Sequence, residues 1–334
     1  MEFYFADSSR KNTDILPMNA YIDFDIGKEN DFKVSIPFSL YDPETMMQGG
    51  YLYVPGTEIG GVLNKFSSDT KNKEVSFEGK TFRGMLEDRY TEPPSGSDYL
   101  SLSGELNATL RNNLTSLYGG LFAFSAANTG VSATKQISRF ANYLEASNEF
   151  LGQANHKLNI EIVEEQMGDS VGFIVVLSAR PIHDYSDEIE NSQDGLVNFE
   201  IGKAEIYPYT HVFGLGSGEL QARITGKWKI NSDRKSLTEI SSFPDGANVR
   251  IYKHDSNGCD SKDALAEEIT KKLGELVGTD TQDITLDDGM IVSIGDIVGG
   301  RDYVTGTYIK QPVTQVVFTH KNGKSSYSYK IGDK

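Results

Sequence analysis

The 334-residue chain sets 32 Lys and Arg against 48 Asp and Glu, a formal net charge of −16, with 38% hydrophobic residues and one cysteine. A chain of this length buries about 75% of its unfolded surface and needs no covalent staple, and the lone Cys259 excludes an intrachain disulfide. The acidic balance excludes a nucleic-acid grip, and no apolar run nears the roughly 18 residues of a membrane-spanning helix.

The N-terminal Met1-Glu2-Phe3-Tyr4-Phe5-Ala6-Asp7 has neither a basic flank nor a long apolar stretch, so a secretory signal is not expected and the setting reads as cytosolic. Residues 1–90 read as strands. Ile22, Phe24 and Ile26 share one face of an alternating run, and Phe32-Lys33-Val34-Ser35-Ile36 resumes it after a turn. Tyr51-Leu52-Tyr53-Val54 lies between Gly49-Gly50 and Pro55-Gly56. Two alternating arms, 62–67 and 74–78, then flank a polar loop, which predicts a hairpin. Past Gly79 the apolar phase slips by one residue, to Phe82 and Leu86. Such a slip turns later side chains to the wrong face, so a β-bulge is predicted at Gly79-Lys80.

Pro93-Pro94-Ser95-Gly96-Ser97 breaks the pattern, and the period then changes. Leu106, Leu110, Leu114 and Leu117 recur at helical spacing behind a candidate cap, Ser103. Ile137, Phe140, Leu144 and Leu151 mark a second helix that Gly152 ends, and 157–162 and 172–177 read as strands. Residues 90–179 thus read as a small α/β module. Pro181 and the acidic run 184–190 form the next junction. Strands return over 197–230 around Gly214-Leu215-Gly216-Ser217-Gly218. A strand at 248–253 follows, then a helix from Ser261 lined by Leu265, Ile269, Leu273 and Leu276, with Gly278 at its C-terminal stop. From Met290 the chain is strand-like to its end, through the turn His320-Lys321-Asn322-Gly323. The order is β-rich, α/β, β-rich, α/β, β-rich. The turns at 70–72 and 320–322 are a weak echo of an internal duplication.

No motif in this order supplies an active site. His156, His183, His211, His254 and His320 lack zinc-type spacing, and Cys259 lies in a polar turn with no adjacent base. His211 reads as a structural histidine. The run Gly214-x-Gly216-x-Gly218 lacks the dinucleotide-loop spacing, because Gln221-Ala222-Arg223-Ile224 continues as strand where a helix is required. Gly323-Lys324-Ser325 imitates the end of a phosphate-binding loop, but Phe318 stands where its first glycine belongs. The carboxylate groups Asp184, Asp187, Glu188, Glu190 and Glu161, Glu164, Glu165 read as solvated faces, and Asp287-Asp288-Gly289 reads as a turn. No catalytic, metal-binding or cofactor-binding set is expected, and the chain reads as a non-enzyme.

In order along the chain, however, several segments resemble the siphovirus-type phage tail-hub proteins, also called tail-associated or baseplate hub proteins. The most specific is Pro55-Gly56-Thr57-Glu58-Ile59-Gly60-Gly61, followed by Asp69-Thr70 and Gly79-Lys80-Thr81-Phe82-Arg83-Gly84. Phe82 stands where the family often has Trp. Further matches are Pro93-Pro94 with Asp98-Tyr99, Asp184-Tyr185-Ser186, His211-Val212-Phe213-Gly214-Leu215-Gly216-Ser217-Gly218-Glu219-Leu220, Ile294-Gly295-Asp296-Ile297-Val298 and Tyr329-Lys330-Ile331-Gly332. Gly56, Thr57, Glu58, Gly60, Gly61, Gly79, Arg83, Gly84, His211, Gly214, Gly216, Gly218, Glu219, Gly295 and Asp296 form a structural signature rather than a catalytic one. Arg83 is expected to be an ion-pair partner at an interface or barrel rim.

The resemblance implies an α+β, predominantly β fold: two tube-type β-barrel domains with two inserted or appended α/β domains. The expected boundaries are 1–92 for the first barrel, 93–180 for the α/β insertion, 181–236 with 285–334 for the second barrel, and 237–284 for a small α/β domain. It implies a virion structural protein, a homotrimer that adapts a six-fold tail tube to a three-fold tip. The implied partners are the tail tube or distal tail protein, the tape measure protein, and a spike, fibre or lysin, with DNA passing during ejection without specific binding. The protein would be assembled in the bacterial host cytoplasm and located in the virion tail. The chain stops after its last barrel strand, so no appended enzyme is expected. An acidic channel lining would let DNA pass without trapping it. The alternatives are a peptidoglycan- or glycan-degrading tail enzyme, which needs a cleft of convergent acids, and a carbohydrate-binding adhesin, which needs exposed aromatic platforms and has Trp228 as its only tryptophan.

Overall fold

The computed structural model describes residues 1–114, 118–186, 191–192, 198–202, 209–246, 248–277, 281–285, 292–302 and 306–332. Strands dominate. In chain order they begin with β1 (Tyr4–Ala6), β2 (Asn12–Ile15), β3 (Tyr21–Ile26), β4 (Asp31–Pro37), β5 (Tyr51–Tyr53), β6 (Gly60–Asp69) and β7 (Glu74–Thr81), which runs into the short helix α1 (Phe82–Met85). The next group is β8 (Tyr99–Glu105), α2 (Leu106–Asn113), β9 (Phe122–Phe124), β10 (Ser132–Ser138), α3 (Tyr143–Gly152), β11 (His156–Met167) and β12 (Ser170–Pro181). Then come β13 (Asn191–Ser192), β14 (Asn198–Gly202), β15 (His211–Leu215), β16 (Thr225–Ile230), β17 (Leu237–Glu239), β18 (Ile251–Asp255), α4 (Lys262–Lys271), α5 (Leu273–Val277) and β19 (Thr281–Thr285). The chain closes with β20 (Ile297–Asp302), β21 (Thr307–Lys321) and β22 (Lys324–Ile331). It divides into two compact units, 1–199 with 283–332, and 200–282.

The first unit is organised by one strand path, β22-β21-β3-β4-β7-β6-β5-β1-β2, with β20 also pairing β21. The expected closed barrels are not what the strands form: among the described residues no sheet closes on itself. Instead the path is a roll in which the segment before β1 meets β21 through side chains. The Phe3 ring, just before β1, lies 5.7 Å from that of Phe318 on β21 and 5.9 Å from that of His320. Strands expected in different barrels also share one ladder, since Phe24 on β3 pairs with Phe318.

The predicted bulge exists in this hairpin but on the other arm. β7 pairs continuously with β4, from Asp31↔Lys80 to Pro37↔Glu74, while the register against β6 shifts between Leu63 and Lys65. β7 has strands on both sides and has no room for an extra residue. β6 loses its second strand neighbour, β5, beyond Val62, and there Asn64 is absorbed, with its carbonyl accepting from Gln48 Nε2 at 2.7 Å. Gly79 serves a different need, because a Cβ there would sit 1.9 Å from the Val62 carbonyl oxygen and 2.7 Å from the Phe32 ring. The phase slip after Gly79 marks a change of period. Thr81 caps α1 by accepting from the Gly84 N–H at 3.1 Å, and Phe82 and Leu86 are buried at helical i, i+4 spacing.

The α/β module within this unit packs α2 and α3 against the sheet β11-β12-β9 and the ribbon β8-β10, and its core of Leu106, Leu110, Phe150, Ile160 and Phe173 runs into Tyr53 and Phe82. Both expected helices form, with corrected starts. Ser103 lies in β8, and the cap of α2 is Glu105. Ile137 lies in β10, and α3 starts from a capping box of Asn142 and Glu145. Leu117 lies outside the described residues.

In the second unit β15 runs between β16 and β18 in the order β17-β16-β15-β18, with α4 behind. β15 and β16, expected in the second tube domain, thus share one sheet with β18. Ser261 caps α4 as predicted, accepting from Ala264 N at 3.1 Å. Gly278 and Asp287-Asp288-Gly289 lie outside the described residues.

Two outcomes follow from these contacts. Gly79→Ala should destabilise the first unit by about 3 kcal/mol or more, because the blocking atom is backbone; equilibrium urea unfolding checks it. Burial pushes the Glu105 carboxyl up, but hydrogen bonds from Thr129, Ala108 and Asn107 outweigh it and hold the pKa at about 2. This contribution is fully present above the unfolded value near 4.5 and is lost as pH falls towards 2. Glu105→Gln should therefore flatten the acid limb of the stability curve between those two pH values.

Candidate functional site: a buried ion-pair junction

The signature residues of the first unit converge where the hairpin loop, α1, the module strand β11 and the segment before β20 meet. Gly56, at φ +70°, donates its N–H to the Ile162 carbonyl at 2.8 Å, and Ile162 N donates to Thr57 O at 2.9 Å. The Thr57 hydroxyl donates to Val54 O and accepts from Ile59 N, which sets the turn. Gly60 and Gly61 allow close approach, since a Cβ would meet the Phe82 ring at 2.7 Å and the Lys80 carbonyl oxygen at 2.2 Å respectively. Gly84 sits as tightly against Asn30.

This turn aims Glu58 at Arg83. The guanidinium forks onto the carboxylate, Nε to Oε1 at 2.5 Å and Nη2 to Oε2 at 3.0 Å, and Nη2 also reaches Leu158 O at 3.5 Å. Arg83 is 3% exposed and Glu58 17%. Arg83 is thus an internal ion-pair partner of this chain. Next to Leu158, Lys157 Nζ lies 2.6 Å from Asp296 Oδ2, with both side chains nearly enclosed. Burial lowers the Lys157 pKa, against the opposing pull of Asp296. Asp296 also accepts from the N–H groups of His183 and Ser293, each at 3.0 Å. Gly295, at φ +87°, packs over the Lys157 stem. Asp184 adds the outer clasp: Lys310 Nζ at 2.6 Å, then the Ser186 hydroxyl and N–H, hold its pKa at about 2.

A cavity of about 240 Å³ opens beside these pairs, lined by Thr57, Glu58, Asn159, Arg180, Ile294 and Tyr327 among others. Arg180 bonds Glu161 at 3.1 Å across its rim. Each charged group here is held by a fixed partner, so the arrangement locks segments together. Lys157 was not singled out in the sequence, where it is one polar residue in an alternating strand.

The second-unit signature is separate. Gly214 lets the Trp228 ring, Leu265 and Ile269 approach to about 3 Å of where its Cβ would be, and Gly216 faces the Cys259 carbonyl. Gly218, at φ +94°, turns the loop, Glu219 is exposed, and 220–222 is a 3-10 turn rather than strand. His211 is buried, bonded to Thr210 Oγ1 at 2.8 Å, and burial then Lys229 lower its pKa. Cys259 is buried and does have a base beside it: its thiol lies 3.0 Å from Glu268 Oε2. That contact raises the thiol pKa, and the carboxylate, also bonded to Ser256 and His254, is held at about 2. Trp228 is core. Among the described residues no three His, Cys, Asp or Glu side chains are grouped to hold a metal ion, and no helix is long and apolar enough to cross a membrane.

No family model and no curated protein sequence matches the chain. Solved structures do. A prophage MuSo2 43 kDa tail protein from Shewanella oneidensis superposes with a TM-score of 0.56 at 11% identity, covering 99% of this chain and 98% of that one. A chain of the phage P2 baseplate in its activated conformation with Ca gives 0.51 at 9% identity over 99% and 98%. A second description of the activated P2 virion baseplate gives 0.50 over the same shares. The fold is therefore that of phage tail and baseplate proteins.

Arg83→Ala should cost about 3–5 kcal/mol, since it leaves a largely buried Glu58 carboxylate unpaired. Replacing both partners, as in Arg83→Met with Glu58→Gln, should recover part of that loss; chemical denaturation of the single and double variants checks it.

Proposed function

We propose that the chain is a structural hub of a phage or phage-like tail, located in the virion tail and acting without enzymatic chemistry. The observation that carries this reading is coverage: tail and baseplate chains match nearly end to end, both α/β regions included, at TM-scores of 0.50 to 0.56. The internal ion-pair junction fits such a role, because it fixes the α/β module against the rolled sheet without needing a ligand.

In the assembled hub three copies surround a channel, adapting a six-fold tube to a three-fold tip. Rolls left open in one subunit would be completed by neighbours, which reconciles the unclosed sheets with tube-like walls. The tail tube or distal tail protein lies on one side, a spike, fibre or lysin on the other, and tape measure and DNA pass through. Asp23, Asp25, Asp31 and Glu78, against the single cation Lys33, line a concavity beside β3, β4 and β7, and burial then the neighbouring carboxylates raise the Asp31 pKa. An acidic face of this kind suits a wall that repels a passing polyanion. Assembly takes place in the host cytoplasm.

Native mass measurement is the direct test. Three copies of the 36.9 kDa chain, seen as a ring with a central channel by electron microscopy, is the expected result. A monomer at all concentrations would remove the hub reading.

A further inference from the structure

Three aspartates gather on neighbouring strands of the roll. Asp23 and Asp25 stand on β3 and Asp31 on β4, and with Glu78, Val317 and Lys33 they line a concavity of about 370 Å³. The ladder places Lys33 between Asp23 and Glu78, and one step beyond the Phe24↔Phe32 pair sets Asp25 beside Asp31. Lys80, opposite Asp31 on β7, pairs instead with Asp88 at 2.6 Å, and Glu78 is taken by Lys65 at 2.7 Å. None of the three aspartates has an ion-pair partner among the described residues. Like charges set side by side on adjacent strands destabilise a sheet. Burial, then the charges of Asp25, Glu29, Asp23 and Glu78, accordingly raises the Asp31 pKa.

A second group points to what this acidic wall takes. Gln315 on β21 is 7% exposed, and its Oε1 is enclosed yet accepts no hydrogen bond among the described residues. Buried polar atoms are nearly always bonded, so an orphan acceptor calls for a donor. Gln315 stands two residues before Val317, and its side chain therefore leaves the same face of β21 that lines the concavity. Its Nε2 donates to Asp25 Oδ2 at 2.5 Å, while Asp25 Oδ1 accepts from Glu29 N at 3.2 Å. The amide is thus aimed at the acidic wall, with its oxygen unmet.

The set consists of acceptors: carboxylates and one amide oxygen. Its ligand must donate hydrogen bonds, carry positive charge and reach groups on three strands. A single metal ion does not fit, since no three acidic, His or Cys side chains among the described residues are grouped to hold one. An alkylammonium has three donors and no acceptor. Asp23 and Asp25, two residues apart on one strand, stand roughly 7 Å from each other, a gap that a short methylene linker between two ammonium groups bridges. One lysine side chain brings only one such group. We propose that the concavity binds an aliphatic polyamine. One ammonium donates to Asp25, Asp31 and, once the amide turns, Gln315 Oε1; a second donates to Asp23, and the linker lies over Val317. This goes beyond the hub role and stands whether or not the trimer forms.

Isothermal titration of the full chain with spermidine tests this, at about 150 mM NaCl so that diffuse attraction to the acidic surface is screened. One saturable site is expected. Asp25→Asn and Gln315→Leu should each weaken it by about ten-fold. Asp169→Asn, which removes the same charge from the exposed turn between β11 and β12, should change nothing. Asp31→Asn should also weaken binding while raising the unfolding temperature of the free chain, because it relieves the crowded carboxylates; its loss of binding is then not a loss of fold. No saturable binding at millimolar spermidine overturns the proposal. Equal weakening by Asp169→Asn does so too, by reducing the effect to net charge. Displacement of spermidine by calcium at equal concentration would make this a metal site and equally overturns it. A native mass altered by Asp25→Asn with spermidine binding intact would assign the wall to a lysine of another chain instead.

Discussion

Burying a charge requires that it be paired, and the first unit is organised around that constraint. Arg83 and Glu58 meet almost out of water, joining a hairpin loop to a helical turn, and Arg83 also touches the carbonyl of Leu158 on β11. One residue away Lys157 pairs with Asp296, which is anchored by the N–H of Ser293 in its own segment and that of His183 in another. Residues 58, 83, 157 and 296 are remote in sequence, so no local structure positions one against another. The Glu58–Arg83 pair forms when the β5–β6 loop meets α1, and the Lys157–Asp296 pair only when the module meets the segment before β20. Such a junction specifies an arrangement more than it stabilises one, since apolar replacements of similar volume often serve stability as well.

Glycine makes that arrangement possible. Gly60 and Gly61 let the Phe82 ring and the Lys80 carbonyl approach, and Gly79 accommodates Phe32 and the Val62 carbonyl. With side chains at these positions the hairpin could not lie flat enough against its neighbours for Glu58 to reach Arg83. In the second unit Gly214 and Gly226 do the same for Trp228. In the run 214–218, which superficially resembles a dinucleotide loop, Gly214 and Gly216 are therefore close-packing devices.

The roll leaves strand edges unpaired in a mostly β chain. The segment before β1 and the strand β21, each next to an end of the path, meet through Phe3, Phe318 and His320 instead of backbone bonds. Edges left open in this way favour pairing with another chain, whereas a closed barrel leaves no edge to pair.

Much of this was legible in the sequence because it depends on local period. The alternation of Ile22, Phe24 and Ile26, the i, i+4 leucines of α2, and the Ser261 cap each reflect a side-chain direction set by a few neighbouring residues. The likeness to phage tail and baseplate proteins also followed from ordered segments. What the sequence could not decide was pairing across distance. The extra residue of the hairpin fell at Asn64 instead of Gly79, because β7 has two strand neighbours and β6 there has one. The sheets stayed open, Lys157 became the partner of Asp296, and the thiol of Cys259 came to rest on Glu268. Each of these outcomes depends on which strand lies beside which, and only the tertiary structure sets that order.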